Sequence, residues 1–321
     1  MAAILTLTLN PAIDISSETQ VVRPTRKIRT SRTRYDPGGG GINVARVITA
    51  LGGDAETLFL AGGELGALFD SLLEKEGIRR HMVPIANRTR ISFMVRELGT
   101  GLEYRFVPEG PVVHARELEH CLDLIASDRS DYVVASGSLP AGAPPDIYAR
   151  MARSVAARGG RFVLDTSGPA LGTTLEQSRV YLVKPSSGEF EHLIGRKLDE
   201  NEVMQAASEI VARGSAELVA VTMGADGAIL ASKEGVLRLP AIHVRVRSAV
   251  GAGDSFLSAM IWALSQGRPP IEAFRLGIAA GAAAVMRPGT ELCRREDVFR
   301  LYQAGSAMAP ESQQLHGGIL A

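Results

Sequence analysis

Short apolar strands separated by single helices recur along almost the whole chain, and this alternation narrows the fold more than any other feature. Ile4 to Leu9 reads as a strand, Ile42 to Leu51 as a helix entered from a glycine loop, and Glu56 to Ala61 as the next strand. Leu65 to Glu76 is amphipathic, with Leu65, Leu68, Phe69, Leu72 and Leu73 at the spacing of one helical stripe. The rhythm continues with helix Leu118 to Ala126, strand Asp131 to Ser136 and helix Asp146 to Arg158. Strands Arg161 to Asp165 and Val180 to Val183, helix Glu202 to Arg213 and strand Leu218 to Thr222 follow. Strands this short and this apolar fit burial on both faces. The pattern therefore predicts an α/β fold, with βαβ units forming a central, mostly parallel sheet flanked by helices.

Two stretches break the rhythm. Residues 13–35 mix Thr, Val, Ile and Arg without helical period, and residues 88–107 look like a hairpin turning at Leu98-Gly99-Thr100-Gly101. Together they predict a small β-lid beside the main sheet, within a single domain over residues 1–305. Ser306 to Ala321, polar and rich in small residues, is expected to be a mobile tail.

Composition removes several classes of function. Lys plus Arg and Asp plus Glu each number 35, so the formal net charge is zero. A sequence-independent nucleic-acid binder needs an excess of cations, and no basic-aromatic run supplies one locally. Cys121 and Cys293 form no CxxC pair and sit among apolar neighbours, as reduced core thiols do. The opening MAAILTLTLNPAID is too short an apolar run for a signal or membrane segment, which points to a cytoplasmic protein. There is no GxxxxGK[ST], HExxH or GxSxG, and the six histidines are dispersed.

The strongest chemical signal is Val250-Gly251-Ala252-Gly253-Asp254-Ser255-Phe256 opening an apolar helix. Small residues at a helix start leave backbone N–H groups open to an anion. Asp254 there is either a helix cap or a carboxylate placed to act as a base. Pro37-Gly38-Gly39-Gly40-Gly41-Ile42-Asn43 offers bare backbone to a ligand, with Asn43 able both to donate and to accept. It lacks the spacing of a dinucleotide fingerprint. Lys184-Pro185-Ser186-Ser187-Gly188-Glu189 sets a cation and a carboxylate just past a strand end, where open α/β sheets bind ligands. Asp14, the Ser136-to-Pro140 turn and the Thr222-to-Gly227 turn also fall at predicted strand ends.

The order of TLNPAID, PGGGGINVAR, SGSLP, KPxxxE, TMGADGA and VGAGDSF resembles the PfkB, or ribokinase-like, sugar kinase family over about residues 4–300. That resemblance implies a ribokinase-like α/β domain with a β-lid that also forms a homodimer interface. It implies ATP and Mg2+ at one end of a cleft and a phosphorylated ketohexose at the other. Asp254 takes the position of the catalytic base, and Gly251, Ala252 and Gly253 that of the anion hole. Asp14, Gly39, Gly40, Asn43 and Ser138 match sugar-contacting positions, and Lys27, Arg90 and Arg105 basic positions near the sugar phosphate. Lys184, Thr222, Gly224 and Gly227 match nucleotide-side positions. Where the family has Asn at the head of an NxxE motif that organises Mg2+ through water, this chain has Ser186, with Glu189 retained. Relatives also hold a monovalent cation such as K+ on carbonyls near Ser248, Val250 and Gly289. The implied reaction is ATP-dependent phosphorylation of fructose 6-phosphate. Fructose 1-phosphate and tagatose 6-phosphate are the alternative substrates, and a non-catalytic sugar-phosphate or nucleotide-binding regulator is the rival from another class.

Overall fold

The computed structural model of the chain describes residues 2–308; the rest of the expected tail, 309–321, lies outside the described residues. The first half runs β1 (Ile4–Thr8), β2 (Ala12–Thr19), β3 (Ser31–Gly38), α1 (Gly40–Ala50), β4 (Ala55–Ala61), α2 (Gly63–Lys75) and β5 (Arg79–Pro84). It continues with β6 (Arg90–Glu97), β7 (Glu103–Phe106), α3 (Ala115–Ser127), β8 (Tyr132–Ser136), α4 (Ile147–Ala157) and β9 (Arg161–Asp165). Next come α5 (Pro169–Gln177), β10 (Val180–Val183), α6 (Ser187–Ile194), α7 (Glu200–Ala212) and β11 (Ala216–Thr222). The described residues close with β12 (Ala228–Ser232), β13 (Gly235–Leu239), α8 (Ala252–Ser265), α9 (Pro270–Val285) and α10 (Arg295–Met308). Three residues assigned to the tail, Ser306 to Met308, therefore belong to α10, the last helix among the described residues.

Nine strands form one sheet in the order β13-β12-β11-β10-β9-β8-β1-β4-β5. From β11 to β5 every pairing is parallel, and β12 and β13 add an antiparallel edge. Successive strand residues feed opposite layers, as the two-residue period of a strand requires. Val134 and Val163 join the cluster of α1, α8 and α9, whereas Val133, Ala135, Phe162 and Leu164 join that of α3, α4 and α7. Every residue of α8 from Ser255 to Ser265 is buried, which is why it carries no polar stripe and no readable period. Cys121 and Cys293 are free and buried, and burial pushes their thiols up to about 12 and about 11.

Among the described residues the four other strands form a second, smaller sheet in the order β3-β2-β6-β7, the segments from which a lid is expected. The expected hairpin is present: β6 and β7 pair antiparallel, and the Gly101 N–H donates to the Glu97 carbonyl at 2.8 Å. Residues 13–35 resolve into β2 and the start of β3, and β2 also pairs parallel with β6 along its whole length. The glycine run differs from the loop expected of it. Gly38 ends β3, Gly39 caps the helix and α1 begins at Gly40, two residues before the Ile42 start, so strand leads directly into helix.

Candidate active site

The carboxyl ends of β8, β9, β10 and β11 open into a cleft of about 790 Å³. This end of a parallel sheet is where loops and helix N-termini converge. Of the residues singled out in the sequence, Gly40, Ser138, Lys184, Ser186, Glu189, Thr222, Gly224, Gly227, Ala252, Gly253 and Asp254 line it.

Helix α8 enters the cleft through Gly251, whose φ of 73° a side chain rarely tolerates. No side chain caps this terminus. The Ala252 N–H reaches the Ala249 carbonyl only at 3.5 Å, and the open first turn, with the positive end of the helix dipole, faces the cleft that Ala252 and Gly253 line. The capping alternative for Asp254 does not hold: its Oδ2 accepts from Asn43 Nδ2 at 2.8 Å instead. Burial, with the Asp165 carboxylate adding to it, pushes the Asp254 carboxyl up to about 6; the Asn43 hydrogen bond and Lys184 oppose the rise.

Lys184, 5% exposed, pairs with Asp165 at 3.0 Å, and Asp165 also accepts from Ser136 Oγ at 3.1 Å. Burial works against the charge on Lys184, but Asp165 outweighs it and holds the ammonium protonated. A Cβ at Gly253 would lie 3.3 Å from Lys184 Nζ, which sets this buried cation beside the open helix start. Asp165 was not singled out from the sequence. Its place at the end of a predicted strand was the signal for it.

Ser186 caps α6 in a reciprocal box with Glu189. Its N–H and Oγ both donate to Glu189 Oε2, at 2.7 and 2.8 Å, while the Glu189 N–H donates to Ser186 Oγ at 3.4 Å. The Ser186 hydroxyl is thus engaged with Glu189, and both residues line the cleft. An isolated bridge joins Ser186 to Thr222, fixing the segment after β10 against the end of β11. Among the described residues no cluster of three or more His, Cys, Asp or Glu could hold a metal, and no helix is long and apolar enough to cross a membrane.

The smaller sheet carries a second group of candidate residues. Asp14 on β2 faces Asp36 on β3 and Ser92 on β6 in register. A Cβ at Gly38 would lie 2.1 Å from Asp14 Oδ2, so only glycine allows this approach. Burial raises the Asp14 carboxyl, although Ser92 and the nearby Arg105 and Arg90 counter it. Arg90 donates from its two Nη groups to the carbonyls of Pro108 and Asn10, at 2.6 and 2.8 Å, and its buried Nε has no partner. Asn10 Nδ2 in turn donates to Ser138 Oγ at 3.3 Å and to the Glu109 carbonyl at 2.9 Å. Lys27 is the residue the fold does not bring to this group: with Arg23, Arg26 and Arg29 it lines a separate hollow in the β2–β3 connection. The lid is tied to the segment after α9 by Thr290 Oγ1 donating to Asp36 Oδ2 at 2.6 Å and Arg34 donating to Glu291 at 2.5 Å.

A model of the pfkB family carbohydrate kinases matches residues 7–297. ATP-dependent 6-phosphofructokinase isozyme 2 of Mycobacterium tuberculosis is 45% identical over 303 residues, covering 94% of this chain and 89% of that protein. The crystal structure of Escherichia coli phosphofructokinase-2 in complex with fructose-6-phosphate superposes with a TM-score of 0.90 at 35% identity, covering 95% of this chain and all of that one. The same enzyme in complex with potassium gives 0.92 at 36% identity, with 95% of this chain covered. With a family model over residues 7–297, a relative 45% identical across 94% of the chain and a matching mostly parallel sheet, the chain belongs to the pfkB family of carbohydrate kinases.

Proposed function

We propose that this chain transfers the γ-phosphoryl group of ATP to fructose 6-phosphate. The observation that carries the reading is the Asp254 carboxylate at an uncapped helix N-terminus, beside the buried Lys184 cation. Asp254 takes the proton of the attacking sugar hydroxyl as the new O–P bond forms and the bond to the departing ADP oxygen breaks. The amides of Gly251, Ala252 and Gly253 and the Lys184 ammonium take up charge on the transferring group. Ser138, Asn43, Gly39, Gly40 and Asp14 hold the sugar, and Arg90 and Arg105 its phosphate, since a dianion rewards charge-assisted hydrogen bonds. Lys27, at a distance from that cluster, joins them only through a movement of its loop or from a second subunit. Thr222, Gly224 and Gly227 line the nucleotide's side, with Ser186 holding Glu189 in place.

Mg2+ fits the free Glu189 oxygen, because it is commonly held by one carboxylate, water and substrate phosphates, and it would neutralise charge on the phosphates. A monovalent cation near Ser248, Val250 and Gly289 fits the buried Glu103 Oε1, which has no partner while Oε2 accepts from Ser248. Residues 1–305 act as one cytoplasmic kinase unit, with two copies joined through the lid. Tyr35, Leu102, Phe106 and Val107 are 52, 57, 62 and 53% exposed on the lid strands and their connections, an apolar surface that favours a second copy.

A coupled assay with ATP and Mg2+ comparing fructose 6-phosphate, fructose 1-phosphate and tagatose 6-phosphate tests the substrate. The highest kcat/KM is expected for fructose 6-phosphate. Preference for either other sugar would overturn the substrate assignment, and no turnover of any would overturn the kinase.

A further inference from the structure

The Asn43 amide has two ends, and only one suits Asp254. Its Nδ2 donates to Asp254 Oδ2 at 2.8 Å. Turned by half a rotation, it would set Oδ1 against the carboxylate and lose the bond. One turn along the same face of α1, Arg46 Nη1 lies 3.4 Å from Asn43 Oδ1 and 3.3 Å from the Pro37 carbonyl. A guanidinium has donors and no acceptor, so it favours the Oδ1 end and disfavours the NH2 end. The guanidinium is itself clamped. Its Nε and Nη2 donate to Glu76 Oε2 and Oε1 at 2.6 and 2.9 Å, and Glu76 is the residue that closes α2. The Arg46 side chain is only 13% exposed, while Glu76 meets solvent at 32%, so the arginine is the sheltered partner of the clamp.

We propose that Arg46 and Glu76 are positioning residues for the phosphoryl transfer, selecting the Asn43 amide orientation that holds the Asp254 carboxylate toward the sugar hydroxyl. The inference rests on Asp254 being the base. The charged groups that act on Asp254 are Asp165 at the end of β9, Lys184 after β10 and Asp14 on β2. Arg46 and Glu76 act through the neutral amide of Asn43. A bidentate pair in such a place also ties α1 to α2, and that purely structural role would lower the melting temperature while leaving the pH dependence of kcat alone.

The test is kcat against pH from 5 to 9, at saturating ATP and fructose 6-phosphate, for the wild type, Arg46→Met, Arg46→Lys, Glu76→Gln and Asp254→Asn, with circular dichroism of each. Arg46→Met is expected to lower kcat about ten-fold through misplacement of the base. It is also expected to move the acid limb up by about one pH unit, the size of a lost hydrogen bond to an ionised group. The KM for ATP is expected to stay near the wild-type value. Glu76→Gln should move both in the same direction by less, and Arg46→Lys should recover part of the loss. A folded Arg46→Met with wild-type kcat and acid limb overturns the proposal. If Arg46→Met does not fold, an unchanged acid limb in Glu76→Gln overturns it. Asp254→Asn separates the two levels: if it keeps more than about a tenth of kcat, both readings fall. If it collapses while the Arg46 and Glu76 variants behave as wild type, the positioning role alone fails.

Discussion

Asp254→Asn should do two opposite things to this protein, and the size of each follows from where the carboxylate sits. Asn keeps the shape and can still accept from Asn43 through its own carbonyl oxygen, but it cannot take a proton at neutral pH. Loss of a general base costs on the order of 10²–10⁴ in rate, so kcat should collapse with KM values little changed. Stability should move the other way. The carboxyl is held at about 6 against an ordinary 3.8. At 1.36 kcal/mol per unit, ionising it in the folded state costs on the order of 3 kcal/mol above pH 6. The sign follows from the upward shift: the folded state binds the proton more tightly, so the relative stability present below pH 3.8 is lost as pH rises through 6. Asp254 is partly open to the cleft, and water there reduces the penalty. Asn removes it, so the variant should melt a few degrees higher at pH 8, at about 2 °C or more per kcal/mol for a chain of this size. The gain should shrink to about half at pH 5, between the two values. Differential scanning calorimetry at the two pH values, beside the coupled assay, checks both. A variant that keeps more than about a tenth of wild-type kcat, or that melts lower at pH 8 than at pH 5 relative to wild type, would refute the account of a buried base.

Arg105→Ala, an exposed residue in the lid, should raise the KM for the sugar phosphate about ten-fold or more, the loss of a charge-assisted hydrogen bond, with the KM for ATP unmoved. Arg90→Ala should do the same and also lower the melting temperature, because Arg90 ties two backbone carbonyls across the lid; steady-state kinetics and thermal melts on the two variants distinguish them. Phe106→Asp places a charge on the exposed lid face and should shift the protein from dimer to monomer in sedimentation, with activity falling alongside. Ser186→Asn keeps a good helix cap and should lower the Mg2+ concentration for half-maximal rate, read from a Mg2+ titration at fixed ATP.

Local chemistry was legible in the chain because its cause is local. Alternating apolar runs mark strands that are buried on both faces, and small residues before Asp254 mark an open helix start wherever the helix is later packed. The strand ends that carry Ser136, Lys184 and Thr222 followed from the same rhythm, since a parallel sheet gathers its carboxyl ends at one edge. Asp165 could have been drawn from that rule as well. What the chain did not carry is which of these ends meet. Asn43 and Asp254 are 211 residues apart, and Thr290 and Asp36 are 254 apart. Hydrogen bonds reach about 3 Å, so these pairs exist only once α8 has packed on α1 and the lid on the segment after α9. The same holds for β2 pairing with β6 and for Lys27 lying away from Arg90 and Arg105. Backbone groups of any strand can bond any other, and the partner is settled by the burial of whole layers. Burial also turned Asp254 from an ordinary carboxyl into one held near 6. Its identity and helix position are written in the sequence, whereas the low-dielectric cleft and the neighbouring Asp165 that raise it come from β9 and β10 meeting α8 in three dimensions.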